Sequence, residues 1–273
     1  MDAVANHCRV GSDDRLRIRW HDPLPEGRRV VLRHRESGET RPAPVAADRR
    51  SLEVDVGELA AGTWEPVIEA DAAADGSDDG TAGGSAGGAA RPILTDDPGF
   101  SLDGLRAYAG RPRDRAVRAV RTRKGHARLR VRTVSPHAEV AAVHPHDGEI
   151  RIDGWLAYTG PQAGEPARLV AAPRDGGAAV TGEVVLDGTG FRGRLAVDAL
   201  AAAEPALWDL WLDVGDVHAR LGTWLDDAPG KRGKLSYPRQ VAAPAGREMA
   251  VRPYYTERDQ LAVSCRPVGD DGA

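Results

Sequence analysis

The sequence predicts an all-β fold made of two tandem β-sandwich units. Three observations lead there. Apolar and polar residues alternate at period two along many short stretches. Turn sequences such as DPLPEG, ESGET, DPG, RDGG and LDGTG separate those stretches. The second half of the chain also repeats the order of the first.

Taken in order, Leu16, Ile18 and Trp20 alternate with Arg15, Arg17 and Arg19, the mark of a half-buried antiparallel strand. VVLRHRESGE (30–39), SLEVDV (51–56) and TWEPVIEA (63–70) follow as further strands. The same succession returns as IRIDGW (150–155), ARLVAAPRDG (167–176), RLAVDAL (194–200) and LWDLWLDV (207–214). Residues 93–108 then parallel 221–237, and AVRAVRTRKGHARLRV (116–131) parallels AVRPYYTERDQLAVSC (250–265). Trp20 to Trp155 is an offset of 135, Trp64 to Trp208 is 144, and Val117 to Val251 is 134.

The drop back after Trp64 places DAAADGSDDGTAGGSAGGAA (71–90) inside the first unit rather than between units. That stretch holds only Ala, Gly, Asp, Ser and Thr, so residues 71–91 are expected to be a disordered Gly-rich loop. The expected boundaries are unit one at 1–134, a linker at 135–148, unit two at 149–268 and a tail at 269–273. Short antiparallel strands at this spacing are immunoglobulin-like in general form. ELAAGTW (58–64) and ALAAAEPALW (199–208) each have room for one helical turn before a strand.

Composition narrows the function. The formal net charge of −4 argues against a whole-chain nucleic-acid binder, which must neutralise phosphates. No apolar run reaches the roughly 18 residues of a membrane span, and no secretory signal is visible, so a cytoplasmic protein is expected. Only Cys8 and Cys265 are present, which fits two reduced thiols better than a disulfide framework or a four-ligand zinc site. Of 37 basic residues only Lys124, Lys231 and Lys234 are lysine. Such Arg bias reflects a GC-rich genome and weakens any argument from Arg abundance alone.

Several motifs carry candidate chemistry. Gly188, Gly190 and Gly193 match G-x-G-x-x-G between a strand-like VTGEVVL and a helix-compatible RLAVDALAAA, the order a dinucleotide site needs. LDGTG is equally a hairpin turn, and the corresponding part of unit one lacks the glycines, so the hairpin is preferred. A nucleotide-using transferase or oxidoreductase is kept as an alternative function. His137, His144 and His146 with Asp147 offer metal-ligand types, but no further ligand is evident, and solvated linker histidines are expected. Asp96-Asp97 and Asp226-Asp227 fall at matching places beside Pro-Gly, where a duplicated turn explains them better than paired catalytic carboxylates. No Ser-His-Asp elbow, H-E-x-x-H or Walker loop occurs. No cofactor is expected.

Two surfaces remain. Residues 111–132 hold nine Arg, one Lys and one Asp. Within them Arg128, Arg130 and Arg132 form an outward stripe suited to an anionic glycan, a phosphate polymer or an acidic partner. In LWDLWLDV, Trp208, Leu210 and Leu212 share one face, and Asp209, Trp211 and Asp213 share the other. An outward indole between carboxylates suits sugar stacking or a subunit contact.

The segment V-R-P-Y-Y-T-E-R-D-Q-L-A-V, Val251 to Val263, resembles the last strands of tandem immunoglobulin-like modules appended to bacterial wall-polymer transferases. Those are family-2 glycosyltransferases and glycerophosphotransferases that build or decorate teichoic acids and capsules. Unit one departs from the pattern, with Ala119, Val120 and Arg121 in place of Pro253, Tyr254 and Tyr255. The catalytic part of such enzymes is absent from the pattern, so the resemblance implies a non-catalytic binding or scaffolding role. Its partners would be an envelope glycan, a glycosyltransferase or further copies of the chain. A structural homo-oligomerisation module without a ligand is the second alternative.

Overall fold

The computed structural model describes residues 3–70, 90–162, 164–202, 206–226 and 228–269. They are mostly β-strand, and none of their helices is long and apolar enough to cross a membrane. The chain divides into two compact units, residues 1–108 with 114–134 and residues 109–113 with 135–273.

In the first unit, β1 (Val4–Val10), β2 (Arg15–Trp20), β3 (Arg28–His34), β4 (Thr40–Ala43), β5 (Ser51–Asp55) and β6 (Gly62–Ala70) come first. They are followed by β7 (Arg91–Pro92), β8 (Leu94–Thr95), α1 (Leu102–Ala109), β9 (Arg115–Arg121) and β10 (Ala127–Thr133). One sheet runs β5-β2-β1-β8, and the other β4-β3-β6-β10-β9 with β7 beside β6. The alternation of LRIRW appears directly in burial. Leu16 and Ile18 are fully buried with Leu32, Trp64 and Leu129, while Arg17 turns outward to Asp13 and Glu53.

β6 and β7 pair with each other, Val67 opposite Pro92 and Ile68 opposite Arg91. The chain therefore leaves this sheet and re-enters it on the same strand. Residues 71–89 of the expected Gly-rich loop lie outside the described residues. Helix α1 was not foreseen. Ser101 starts it, its Oγ accepting from the Gly104 N–H at 3.1 Å. Near the helix end, Tyr108 OH donates to Asp14 and accepts from the Val117 N–H.

The second unit contains β11 (His137–His146), β12 (Glu149–Ala157), β13 (Ala167–Pro173), β14 (Val180–Asp187), β15 (Gly190–Ala196) and α2 (Val197–Ala201). It continues with β16 (Ala206–Val214), β17 (Val217–Gly222), β18 (Gln240–Ala242), β19 (Met249–Tyr255) and β20 (Leu261–Pro267). Here, where the sequence predicts a sandwich, the strands also close on themselves. The order β13-β14-β15-β12-β11-β17-β16 returns to β13, a barrel of seven strands, and β20-β19-β18 extend from β16. The cause is β14. It has eight residues and pairs along both β13 and β15, whereas β4 has four residues, includes Pro42 and pairs with β3.

Two further expectations are corrected. Residues 135–148, read as a linker, hold β11, which pairs with β12 over its whole length and with β17 at Ala138 and Glu139. The Gly188–Gly193 motif is a β-hairpin, Asp187 pairing with Gly190, so the nucleotide alternative lacks its geometry. Gly188 supplies the turn with φ +62°, and Gly193 lies inside β15, where a Cβ would meet Leu169 at 2.4 Å. The helix follows the strand rather than the glycines. One helical turn forms at α2, within 199–208 only in part, while in 58–64 no helix forms and the turn lies at Gly57-Glu58.

Candidate functional site

The outward row of β16 is set by its neighbours. Trp208, Leu210, Leu212 and Val214 are buried in the barrel core, which turns Asp209, Trp211 and Asp213 to the other face. A two-residue hairpin at Gly215-Asp216 then fixes β17 against β16, with Arg220 opposite Trp211 and His218 opposite Asp213. The His218 ring stacks on the Trp211 indole at 4.2 Å between centroids and 13° between planes. The Arg220 guanidinium sits 5.2 Å from the centre of the same indole.

The two carboxylates that flank the indole in the sequence are both held in ion pairs. Asp209 accepts from Arg174 and Arg220, each at 2.8 Å. Asp213 accepts from Arg168 at 3.1 Å and contacts His218 Nδ1 at 2.5 Å. Arg220 is itself buried and also donates to the Leu210 carbonyl at 2.7 Å.

Burial pushes the Arg220 pKa down, against the pull of Asp209. The hydrogen bond to Asp209 raises that of Arg174. Burial raises the Asp213 carboxyl, but the hydrogen bonds from His218 and Arg168 outweigh it and hold the group below its usual range. The result is a braced surface, a half-buried indole fixed between two guanidinium–carboxylate clusters.

Arg128, Arg130 and Arg132 lie on β10 in the first unit, whereas the Trp211 row is in the second. They share a face because Ala127, Leu129 and Val131 are buried. Arg128 donates to Glu65 at 2.8 Å, a carboxylate that Arg35 also approaches at 3.4 Å. Arg130 is exposed and stands directly across the β10–β9 ladder from Arg118, whose guanidinium lies 4.0 Å from the Phe100 ring centre. Arg132 is exposed opposite Ala116.

The three histidines do not assemble. His137 is buried, its Nε2 3.0 Å from Glu139, with Trp224 edge-on at 4.8 Å. His144 and His146 lie far along the same strand, near Asp153 and Asp147 respectively. Among the described residues no group of three or more His, Cys, Asp or Glu is placed to hold a metal. Asp97 is buried and accepts from the Cys8 N–H, the Gly99 N–H and Arg9. It therefore fastens β1 to its own turn. Asp226 accepts from the Ala228 N–H and pairs with Lys231, while Asp227 lies outside the described residues.

Sequence reasoning missed Arg168, Arg174, His218 and Arg220. The last two were within reach. A two-residue turn at Gly215-Asp216 places residue 220 opposite 211 by counting outward from it.

No family model matches the chain, and no curated protein matches it in sequence. Among solved structures, TarS 217–571 from S. aureus is similar at 13% identity and a TM-score of 0.40, over 59% of this chain and 48% of that one. A longer S. aureus TarS structure gives 13% and 0.41, over 60% and 32%. A two-domain fibronectin type-III segment of chicken tenascin gives 12% and 0.24, over 80% and 93%. The chain thus spans about half of the first of these structures and about a third of the second.

Proposed function

We propose that the chain is a non-catalytic binding or scaffolding protein, comparable to the accessory part of a bacterial cell-envelope polysaccharide transferase. The Val251–Val263 resemblance motivates the class, and those residues form the β19–β20 hairpin of the second unit. In this reading both units are immunoglobulin-like. The first would be a sandwich of the β5-β2-β1-β8 and β4-β3-β6-β10-β9 sheets, and the second a sandwich-like module whose edges are joined through the β14–β15 and β13–β16 pairings.

The observation that carries the binding role is the braced indole. Trp211 is outside the core, yet His218, Arg220 and the two aspartates limit its motion before any partner arrives. A pre-ordered aromatic plane loses little side-chain entropy on binding. It suits the face of a sugar ring or an apolar patch of a partner.

Trp211→Ala should leave folding within about 1 kcal/mol of the parent protein, as for other changes outside the core. It should weaken retention on cell-wall polymer, or self-association in sedimentation. Unfolding would make Trp211 a structural residue, and unchanged behaviour in both assays would remove this face from the reading.

A further inference from the structure

On the same face of the second unit as Trp211, the outer sides of β16, β20 and β19 border a groove of about 880 Å³. Burial of Val251, Pro253 and Tyr255 turns Arg252 and Tyr254 outward from β19, and burial of Val263 and Cys265 turns Ser264 and Arg266 outward from β20. Arg174 joins from the end of β13, its N–H bonded to the Leu207 carbonyl. Leu207 pairs with Ser264, and Ser264 with Arg252. Arg174 and Arg252 therefore end one row across four strands, roughly 14 Å apart at three strand spacings. Leu207 and Ser264 stand between them in the row, and the Tyr254 side chain reaches across to Arg174.

The lining holds five arginines against two carboxylates, Asp209 and Glu257. Asp209 engages Arg174, Glu257 engages Arg232, and Arg252 donates to Ser236 Oγ. Arg266 is exposed and has no ion pair among the described residues. The floor adds a half-buried Tyr254 and an exposed Leu235.

The arginine placement recurs in the first unit. Arg118 and Arg132 stand 134 residues before Arg252 and Arg266, at the same ladder positions of β9 and β10. Tyr254 does not recur, since Val120 holds its place.

We infer that this groove binds an acidic saccharide, a sugar chain carrying carboxylate or phosphate groups. Guanidinium groups match either oxyanion through paired N–H donors. The separated arginines suit charges repeated along a chain, and the tyrosine and leucine surface suits the apolar face of a sugar ring. This names a ligand class for the proposed binding face and rests on that reading only in taking the ligand to be a glycan.

The test uses the full chain, titrated calorimetrically with oligogalacturonate, phosphorylated dextran and unmodified dextran at low salt. At least one acidic probe should bind, and neutral dextran should bind at least about tenfold more weakly. Whichever acidic probe binds tighter identifies the oxyanion. Arg252→Gln with Arg266→Gln, both exposed positions, should weaken acidic binding by at least about tenfold without lowering Tm. Tyr254→Ala should weaken oligogalacturonate binding too.

Failure of both acidic probes to bind overturns the inference, as does equal binding of dextran. Acidic binding that the double variant leaves unchanged also overturns it, because the site then lies elsewhere. The proposed function stands or falls separately, on retention of the parent protein by wall polymer and its loss in Trp211→Ala.

Discussion

Trp64 and Trp208 occupy matching places on β6 and β16, and both are fully buried, yet their indole nitrogens differ. Trp64 Nε1 donates to the Ala60 carbonyl at 2.9 Å. Trp208 Nε1 is buried with no hydrogen-bond partner among the described residues. Replacing Trp64 by Phe removes a donor and leaves a carbonyl unpaired, whereas replacing Trp208 by Phe removes an unsatisfied donor. Both variants leave a similar cavity. Trp64→Phe should therefore be the more destabilising by about 1–3 kcal/mol in denaturant titration. Equal losses would mean that the Trp64 hydrogen bond contributes nothing.

Asp97 offers a second test at this scale. Burial pushes its carboxyl pKa up, but the hydrogen bonds from Arg9, Gly99 and Cys8 outweigh that and leave it below the usual carboxylate range. A folded-state pKa below the unfolded one gives stability that is complete above about pH 4 and is lost as pH falls through the folded value. Asp97→Asn should cost about 1–3 kcal/mol at pH 7 and flatten that acid limb. An unchanged acid limb in the variant would assign the loss to other carboxylates.

Among the elements, those with unbroken alternation were legible. LRIRW, TWEPVIEA, IRIDGW and LWDLWLDV all lie in strands, with the predicted residues inside. β1 and β11 were not legible, for a shared physical reason. Each carries a register shift, between Ala5 and His7 in β1 and between Val140 and Ala142 in β11. A bulge of this kind slips the period. The buried apolar residues of β11 accordingly run Ala138, Val140, Val143, and Pro145 and three histidines complete its resemblance to a linker. Of the site, the facing of Trp211 was legible from alternation alone. The ion pairs of Asp209 and Asp213 were not, because they need the register of β13 and β17.

The pairing of β6 with β7 yields an element-scale prediction. With Ile68 already opposite Arg91, deleting residues 74–88 leaves a short connection between paired strands. Stability should change by less than about 1 kcal/mol, since each halving of a flexible loop alters closure entropy by about 0.6 kcal/mol. A loss of several kcal/mol would show that the deleted residues contribute to the core.

For the whole molecule, the decisive fact is that there are two hydrophobic cores with no residue in common. Trp64 belongs to one, with Leu16, Ile18, Leu32 and Leu129, and Trp208 to the other, with Leu156, Leu169, Leu195 and Leu221. A unit with its own core and its own closed set of strand pairings is expected to unfold as its own cooperative step. Truncating a buried Trp to Ala removes about 3–5 kcal/mol from the unit that contains it. In a unit of this size that is a Tm shift of roughly 10–25 °C. Scanning calorimetry of the intact chain should therefore resolve two transitions. Trp64→Ala should lower one of them and leave the other in place, and Trp208→Ala should do the reverse. If either substitution moved a single common transition, the two cores would melt as one cooperative body, and treating the units as separable would be wrong. The same scans bear on function. A probe that binds the groove of the second unit should raise only the transition that Trp208→Ala lowers, because a ligand stabilises the state that forms its site.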